Sequence, residues 1–349
     1  MLKLSTAVGS MPHSDGKKAI EIIMKNLAIP VWPQLPKISF RESMYAQYSE
    51  GFPCLEVSEK NQKIFFDTDG DVLPSLEKFY EKIISDDLDY FKMTMNYSAG
   101  FYEFISQLKS GNLKFPSVKG QITGPITFGL KVTDKNNRSI FYNEQFVDVI
   151  VKALTMKARW QIRQLQSIRA SAEDGHKPQV IMFIDEPYLS VFGSAFTQIS
   201  REEVIKYLNE VSEGIHKENA LSGVHCCGNT DWSVLMDTNI DIISFDAYSF
   251  FDGLTLYPEK LNKFFERGGV LAWGIVPSSD LINSETVESL TENFIRKSEQ
   301  LIKKNIDEKA VRSRYIITPS CGVGSLSEEL AEKIIITTKN VAENLMEKI

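Results

Sequence analysis

Residues 223–248 read GVHCCGNTDWSVLMDTNIDIISFDAY, and this stretch decides the fold. It contains two short apolar runs, 223–227 and 240–245, and each leads into a cluster of polar residues or glycine. Short apolar strands that alternate with amphipathic helices predict βαβ units and a parallel sheet. The other apolar runs are 115–122, 179–184, 270–275 and 315–318, and the helical stretches are 144–172, 200–219, 257–267, 284–304 and 327–348.

Polar clusters follow seven candidate strands, counting a first strand near residue 8. In (β/α)8 barrels functional groups come from the carboxyl ends of the strands around one rim, whereas a doubly wound open sheet gathers ligands at one switch point. Seven such clusters favour the closed barrel. We therefore predict an α/β protein in which residues 1–349 form a single (β/α)8 TIM barrel. The clusters begin at Val8, Gln121, Ile184, His225, Phe245, Trp273 and Thr318.

The region of residues 30–80 is less regular than the rest and contains prolines at positions 30, 33, 36, 53 and 74. We interpret it as an elaborated N-terminal first crossover that includes a hairpin over residues 55–66. No linker, charge block or internal repeat divides the chain, which favours one domain.

Composition excludes several classes of protein. A net charge of −7 argues against nucleic acid as a partner, because phosphate contacts require many Lys and Arg residues. No apolar stretch approaches the ~18 residues of a membrane span, and the first residues lack the apolar core of a secretory signal. The four cysteines, two of them adjacent, do not form a disulfide scaffold. We therefore expect a cytoplasmic protein without nucleic-acid or membrane partners.

A metal-binding pattern occurs at two of the strand ends. Side chains alternate across a strand, so His225 and Cys227 point the same way and Cys226 points oppositely. Cys321 follows the last predicted strand, which barrel closure can bring alongside. One imidazole and two thiolates suit Zn²⁺, and three protein ligands are typical of catalytic zinc. The alternative is that these are ordinary buried residues.

Asp246 follows the strand after the His-Cys pair. It is a candidate fourth ligand, or a residue that orients a ligand or the substrate. The loop of residues 321–325 opens the last helix. Its backbone amides are candidates for binding a carboxylate, sulfonate or phosphate, and the alternative is a simple tight turn.

At this point the chain resembles the catalytic C-terminal barrel of cobalamin-independent methionine synthases. It is also similar to methylcobamide:coenzyme M methyltransferases and uroporphyrinogen decarboxylases, which share the barrel superfamily. The resemblance follows the family's order from the first strand to the last. The segments that carry it are Val8-Gly9-Ser10-Met11-Pro12, Thr123-Gly124-Pro125-Ile126-Thr127, Ile184-Asp185-Glu186-Pro187, His225-Cys226-Cys227 and Pro319-Ser320-Cys321-Gly322.

The resemblance implies a role for each matching residue. His225, Cys227 and Cys321 match the zinc ligands, and Asp246 falls where the methionine synthases have a glutamate ligand. Gly9 and Ser10 match the stretch that holds the carboxylate of homocysteine, and Asp185 matches the acid that binds its amino group.

Two departures from the family concern the methyl donor. The family's Asp-x-His motif after the strand at 270–275 is missing, because residues 274–279 read GIVPSS. The N-terminal half tied to folate use also has no counterpart. Methyl transfer from a folate nitrogen benefits from a general acid, whereas a methylcobamide leaves as cob(I)alamin and needs no proton. Both departures therefore favour a methylcobamide donor.

No corrinoid-binding Asp-x-His-x-x-Gly motif is present, so a cobamide would arrive free or on a separate corrinoid protein. His13 is a candidate replacement acid at the barrel mouth, and the alternative is that it lies on a surface loop.

The leading hypothesis is a zinc-dependent methyltransferase acting on a small thiol, with homocysteine preferred. A coenzyme M or tetrahydrofolate-like acceptor is an alternative within the same class. A uroporphyrinogen-type decarboxylase would instead need arginines near the mouth, and few are present. The third hypothesis is a non-catalytic barrel that binds a corrinoid.

Overall fold

A parallel β-sheet lies at the centre of the molecule. The computed structural model describes residues 4–110, 115–168, 177–194 and 197–348. Within these residues, seven strands form one parallel sheet in the order β1-β10-β9-β8-β7-β6-β4, and three short strands form a second sheet, β2-β3-β5. The strands are β1 Leu4–Ser5, β2 Leu55–Ser58, β3 Lys63–Phe66, β4 Ser117–Thr123, β5 Thr133–Asp134, β6 Gln179–Asp185, β7 Leu221–Cys226, β8 Ile242–Phe245, β9 Val270–Val276 and β10 Tyr315–Pro319.

The seven parallel strands correspond to the strands that the sequence predicts. Because all of them are parallel, their carboxyl ends lie at one edge of the sheet. The predicted hairpin is also confirmed, because Leu55 of β2 pairs with Phe66 of β3 in an antiparallel ladder.

Helices connect the strands and pack outside the sheet. The predicted helices at 200–219, 257–267, 284–304 and 327–348 are confirmed, and the helix predicted over 144–172 ends at Gln166, with residues 169–172 outside the described residues. The helices within the described residues are α1 Gly16–Asn26, α2 Leu73–Ile84, α3 Ala99–Ser110, α4 Pro125–Lys131, α5 Glu144–Gln166, α6 Arg201–Lys217, α7 Trp232–Met236, α8 Phe251–Leu254, α9 Pro258–Glu266, α10 Val287–Lys303, α11 Glu308–Ser313 and α12 Glu328–Lys348. None of these helices has both the length and the apolar character that crossing a bilayer requires.

The prediction of eight regular strands is not met among the described residues, where the parallel sheet has the form of a curled half-barrel with seven strands. The extended segment 29–34 lies between the two edge strands. The backbone N–H of Ile29 donates to the Ser5 carbonyl at 2.9 Å, and the N–H of Lys119 on β4 donates to the Pro30 carbonyl at 2.8 Å.

Two prolines explain why this segment is not a regular strand. Pro30 and Pro33 have no backbone N–H, so the segment cannot complete a ladder on either side. Its contacts are instead single bridges, Val31 with Lys119 and Ser10 with Gln34.

The sheet buries apolar side chains on both faces. One face packs against the helices, and the other carries a separate apolar cluster inside the curl of the sheet. That inner cluster consists of Ile29, Ile181, Phe183, Ile242, Ala272 and Ile316. Because alternate strand residues share a face, the polar residues that continue this inner series toward the carboxyl ends face the same interior.

Candidate metal centre and substrate cavity

His225 lies near the end of β7, on the inner face of the sheet. It pairs in register with Asp185 of β6 on one side and Ser244 of β8 on the other. Its Nδ1 is 3.0 Å from Ser244 Oγ. Its Nε2 is buried and has no hydrogen-bond partner among the described residues. This ring nitrogen is therefore available to a metal, with the ring orientation fixed by the neighbouring strand.

Cys227 and Cys321 lie beside the His225 ring. Any two of the three candidate ligand atoms, one from each residue, lie within 4.8 Å of each other. The register between β9 and β10 shifts at Thr318/Pro319, just before Cys321. The sequence prediction that closure brings Cys321 alongside the His-Cys pair is thus matched by the geometry.

The two thiols interact with each other. A hydrogen bond from Cys321 lowers the pKa of Cys227, and the same interaction raises the pKa of Cys321 well above its ordinary value. The interaction therefore favours ionisation of Cys227 over ionisation of Cys321.

The donor set fits zinc. One imidazole nitrogen and two sulfurs are ligands that Zn²⁺ prefers, and Zn–S bonds of about 2.3 Å place tetrahedral ligand atoms roughly 3.5–4 Å apart. The three ligand atoms lie within 4.8 Å of one another, so binding would need them to approach by at most about 1 Å. The buried imidazole nitrogen without a partner and the two thiols beside the ring form a group that could hold a metal ion.

Cys226 points away from this cluster, as predicted. It is buried, and its Sγ lies 3.5 Å from the Gly228 carbonyl oxygen.

Asp246 follows β8, and its Oδ1 accepts the backbone N–H of Ser249 at 2.8 Å. Burial raises the pKa of Asp246. It is not part of the three-ligand cluster and does not line the adjoining cavity. Its role as a fourth ligand or orienting residue stays a prediction.

A cavity of about 280 Å³ opens directly beside the cluster. No Lys or Arg is among its lining residues, all of which belong to the described part of the chain. This size suits a small molecule. The lining residues are Val8, Ser10, Gln34, Pro36, Glu42, Ser43, Met44, Asp185, Pro187, His225, Cys227, Cys321, Gly322, Gly324 and Ser325.

Asp185 lines this cavity with a buried carboxylate whose Oδ1 has no hydrogen-bond partner among the described residues. Burial raises its pKa to about 6, against the opposing effect of the positive charge of Lys119. The acid is therefore placed to receive a donor group from a ligand.

Lys119 is a residue that sequence reasoning missed. Its ammonium is fully buried inside the sheet, donates to the Val8 carbonyl at 2.7 Å and lies 4.4 Å from the centroid of the Phe183 ring. Burial lowers its pKa to about 8. The available signal was a lysine in the middle of an otherwise buried strand, a position that Lys rarely occupies without a partner.

Gly9 and Ser10 lie at the end of the first strand segment. Gly9 has φ +147°, and a Cβ there would lie 2.9 Å from Cδ of Gln121, so glycine is required. Ser10 Oγ accepts the N–H of Gly324 at 3.2 Å, and its carbonyl accepts the N–H of Val323 at 3.2 Å. Two amides of the loop at 321–325 therefore bind Ser10. The predicted anion contacts of Gly9, Ser10 and this loop stay predictions.

His13 is fully buried, so the surface-loop interpretation is wrong. Neither ring nitrogen has a hydrogen-bond partner among the described residues, and Glu328 Oε2 lies 3.9 Å from Nε2. Burial lowers the pKa of His13. Because it does not line the cavity, its proposed role as an acid stays a prediction.

Glu186 belongs to the Ile184–Pro187 motif, but the sequence alone predicts no role for its side chain. Its fully buried carboxylate accepts the backbone N–H groups of Ile126 at 2.9 Å and Thr127 at 2.7 Å, at the start of α4. A Cβ on Gly124 would lie 2.1 Å from its Cδ, so the glycine permits this approach. Glu186 thus fixes α4 against the end of β6.

No protein-family model and no curated protein matches this sequence. Solved structures match along most of the chain. A B12-independent methionine synthase from Shewanella sp. W3-18-1, in complex with selenomethionine, is 15% identical, with a TM-score of 0.54 over 100% of this chain and 99% of that one. A candidate vitamin B12-independent methionine synthase from Listeria monocytogenes is 14% identical, with a TM-score of 0.51 over 95% and 86%. At these identities the similarity concerns the fold.

Proposed function

We propose that this chain is a zinc-dependent methyltransferase that transfers a methyl group to a small thiol, with homocysteine as the preferred acceptor. The observation that carries the proposal is the convergence of the His225 imidazole with the thiols of Cys227 and Cys321 at the wall of a small cavity. The same cavity is also lined by Asp185, whose carboxylate has an oxygen without a hydrogen-bond partner among the described residues.

The residues at the cavity would have distinct roles in binding the metal and the acceptor. His225, Cys227 and Cys321 would hold zinc, which supplies a positive charge that deprotonates an incoming thiol at neutral pH. Asp185 would accept the ammonium group of the acceptor and so orient its thiol. Ser10, with its oxygen already accepting from Gly324, keeps its hydroxyl hydrogen available for the acceptor's carboxylate.

We propose a methylcobamide, free or on a separate corrinoid protein, as the donor. The support is the loop after β9, where residues 274–279 carry no side chain that could deliver a proton near neutral pH. Ser278 in this loop is instead hydrogen-bonded to Ser320, with 2.8 Å between the two Oγ atoms. Departure of cob(I)alamin needs no proton, whereas departure of a folate nitrogen is helped by one.

The cavity disfavours two of the alternatives. Coenzyme M has no ammonium group for Asp185 to accept, and a uroporphyrinogen-type decarboxylase binds several carboxylates, which Lys and Arg hold best. Neither residue type lines the cavity, which holds two acids, Glu42 and Asp185.

Zinc X-ray absorption tests the proposal. In protein loaded with about one zinc per chain, homocysteine should raise the number of sulfur ligands from two to three. The same thiol should be methylated faster by methylcobalamin than by methyltetrahydrofolate. Cys227→Ser should lose zinc, whereas Cys54→Ser, on the hairpin outside the cluster, should retain it.

An unchanged sulfur count with homocysteine, coenzyme M and simple thiols would refute thiol activation. A preference for methyltetrahydrofolate would refute only the donor half of the proposal and would return attention to His13.

A further inference from the structure

Gln34 is a cavity residue that the sequence patterns did not single out. It belongs to the irregular segment 29–34, and its backbone is fixed on both sides. Its N–H donates to the Gly9 carbonyl at 3.1 Å, and its carbonyl accepts the N–H of Met11 at 2.9 Å. Its side chain is only 6% exposed and lines the cavity that contains Asp185 and the metal cluster.

The orientation of the Gln34 amide is fixed by groups that can only accept. Gln47 Nε2 donates to the Tyr97 carbonyl at 2.9 Å and to Glu42 Oε2 at 3.0 Å, so Gln47 must offer its oxygen to Gln34. Gln34 Nε2 accordingly donates to Gln47 Oε1 at 2.8 Å.

The hydrogen bonds of Tyr48 lead independently to the same orientation of the Gln34 amide. Its hydroxyl donates to the Gln121 carbonyl at 2.8 Å, so its oxygen accepts from Gln34 Nε2, 3.2 Å away. Both amide hydrogens of Gln34 are therefore used. Its Oε1 accepts no hydrogen bond from the described residues, and it is the polar atom that Gln34 can offer to the cavity.

The other cavity acid is already satisfied. Glu42 Oε1 accepts the N–H of Ala99 at 2.5 Å, and Oε2 accepts from Gln47. Among the amide and carboxylate groups that line the cavity, Gln34 Oε1 and the Asp185 carboxylate are then left to accept from a ligand. Two such acceptors at one cavity that no Lys or Arg lines fit a cationic donor of several hydrogens, which is an ammonium group.

We propose that Gln34 is a specificity-determining residue for the acceptor, and that the buried Glu42–Gln47 pair holds its amide oxygen toward the ammonium group of an amino thiol. This inference rests on the proposed function and deepens it, because it restricts the acceptor to thiols that carry an amine. Glu42 and Gln47 are positioning residues that act through Gln34.

Calorimetric titration of the zinc-loaded enzyme tests the inference with two thiols that differ only in the amine, L-homocysteine and 4-mercaptobutyrate. Gln34→Met keeps the side-chain volume and removes the acceptor. It should weaken homocysteine binding about 10- to 100-fold and leave 4-mercaptobutyrate binding within about twofold, since a hydrogen bond to a charged group is lost in one case only. Gln300→Met, at an exposed position of α10, is the matched control and should change neither.

Gln47→Met provides a second measurement that does not alter the cavity wall. Releasing the Gln34 amide should weaken homocysteine binding about threefold or more and spare 4-mercaptobutyrate. If Gln34→Met does not fold, this variant decides the question.

Equal weakening of both thiols, or no change in either, would overturn the inference by leaving Gln34 a structural role. Failure of the wild-type enzyme to bind homocysteine would overturn it together with the proposed function. If Gln34→Met loses the preference for homocysteine over 4-mercaptobutyrate, but the number of sulfur ligands on zinc does not rise when homocysteine is added to the wild-type enzyme, thiol activation alone is contradicted. A rising sulfur count with equal affinity for both thiols would contradict the inference alone.

Discussion

Two buried atoms without partners define the site at the scale of single residues: His225 Nε2 and Asp185 Oδ1. Leaving a buried polar atom unpaired costs about 1–3 kcal/mol, so native structures rarely do so without a reason. Both atoms lie at the same cavity, and both belong to residues that the sequence selects. A ligand on each atom, zinc on the imidazole and an ammonium group on the carboxylate, removes the cost.

Asp185→Asn tests the second of these atoms. The amide keeps the shape of the side chain and loses the charge, so the KM for homocysteine should rise about tenfold because a charge-assisted hydrogen bond becomes a neutral one. Zinc content, measured on the same preparation, should stay at the wild-type level. Loss of zinc in this variant would instead make Asp185 part of the metal centre.

Residues of the site differ in how well the sequence predicts them. His225 and Cys227 follow from strand alternation, because a two-residue spacing puts both on one face. Gln34 and Glu42 have no such periodicity, since they lie in a proline-containing crossover whose path depends on tertiary contacts. Their position could be found only from the hydrogen bonds that tie this crossover to β4.

The elements of the sheet were predictable wherever strand and helix patterns are regular. Six of the seven parallel strands end in the clusters that the sequence shows, and β1 ends three residues before its cluster. The common edge of the strands brings Cys321 to His225 and Cys227 at the end of β7. The segment 29–34 was missed as a sheet neighbour because Pro30 and Pro33 remove the periodic hydrogen bonding that defines a strand. Hydrophobic patterning alone does not distinguish such a segment from a loop.

At the interface of α5 with residues 88–91, a buried lysine makes stability depend on pH. Lys157 is fully buried, its Nζ donates to the Phe91 carbonyl at 3.3 Å, and burial lowers its pKa to about 7. In the unfolded chain the pKa of Lys is about 10.4. Between these two values the unfolded state binds more protons, so the free energy of unfolding should rise as pH increases from 7 to 10.

Lys157→Met removes this dependence. At pH 7 the variant should be more stable than wild type by about 2 kcal/mol, because the cost of burying the amine exceeds that of the lost hydrogen bond. The difference should shrink toward pH 10, as measured by urea unfolding. Lys303→Met, at an exposed position of α10, serves as the control. A difference that does not vary with pH would show that the amine is charged in the folded state.

At the scale of the whole molecule, the candidate ligands connect distant parts of the chain. His225 belongs to β7 and Cys321 follows β10, and two strands, β8 and β9, separate these in the sheet. A metal bound only by the folded arrangement stabilises it, by about 4 kcal/mol when free zinc exceeds Kd a thousandfold.

Removal of zinc by a chelator should therefore lower the melting temperature by several degrees. Readdition of zinc should restore it, and Cys227→Ser should show no response to either treatment. A melting temperature that is the same with and without zinc in the wild-type protein would mean that zinc does not bind the folded state in preference to the unfolded chain. The single-domain prediction requires a single melting transition, and the same scans would test it.

The proline-containing segment between β1 and β4 also has a consequence for the local opening of the native state. Its amides are held by isolated bonds, such as Trp32 N–H to the Lys119 carbonyl at 3.4 Å, whereas β6 is paired along its length with β4. Isolated bonds break without disturbing a ladder, so hydrogen exchange at residues 29–34 can proceed by small fluctuations while β6 exchanges only through larger unfolding. Gln34 belongs to this segment, so ligand binding in the cavity should increase the protection of its amides. A ligand held by Gln34 should slow hydrogen exchange at residues 29–34 far more than in the centre of the sheet.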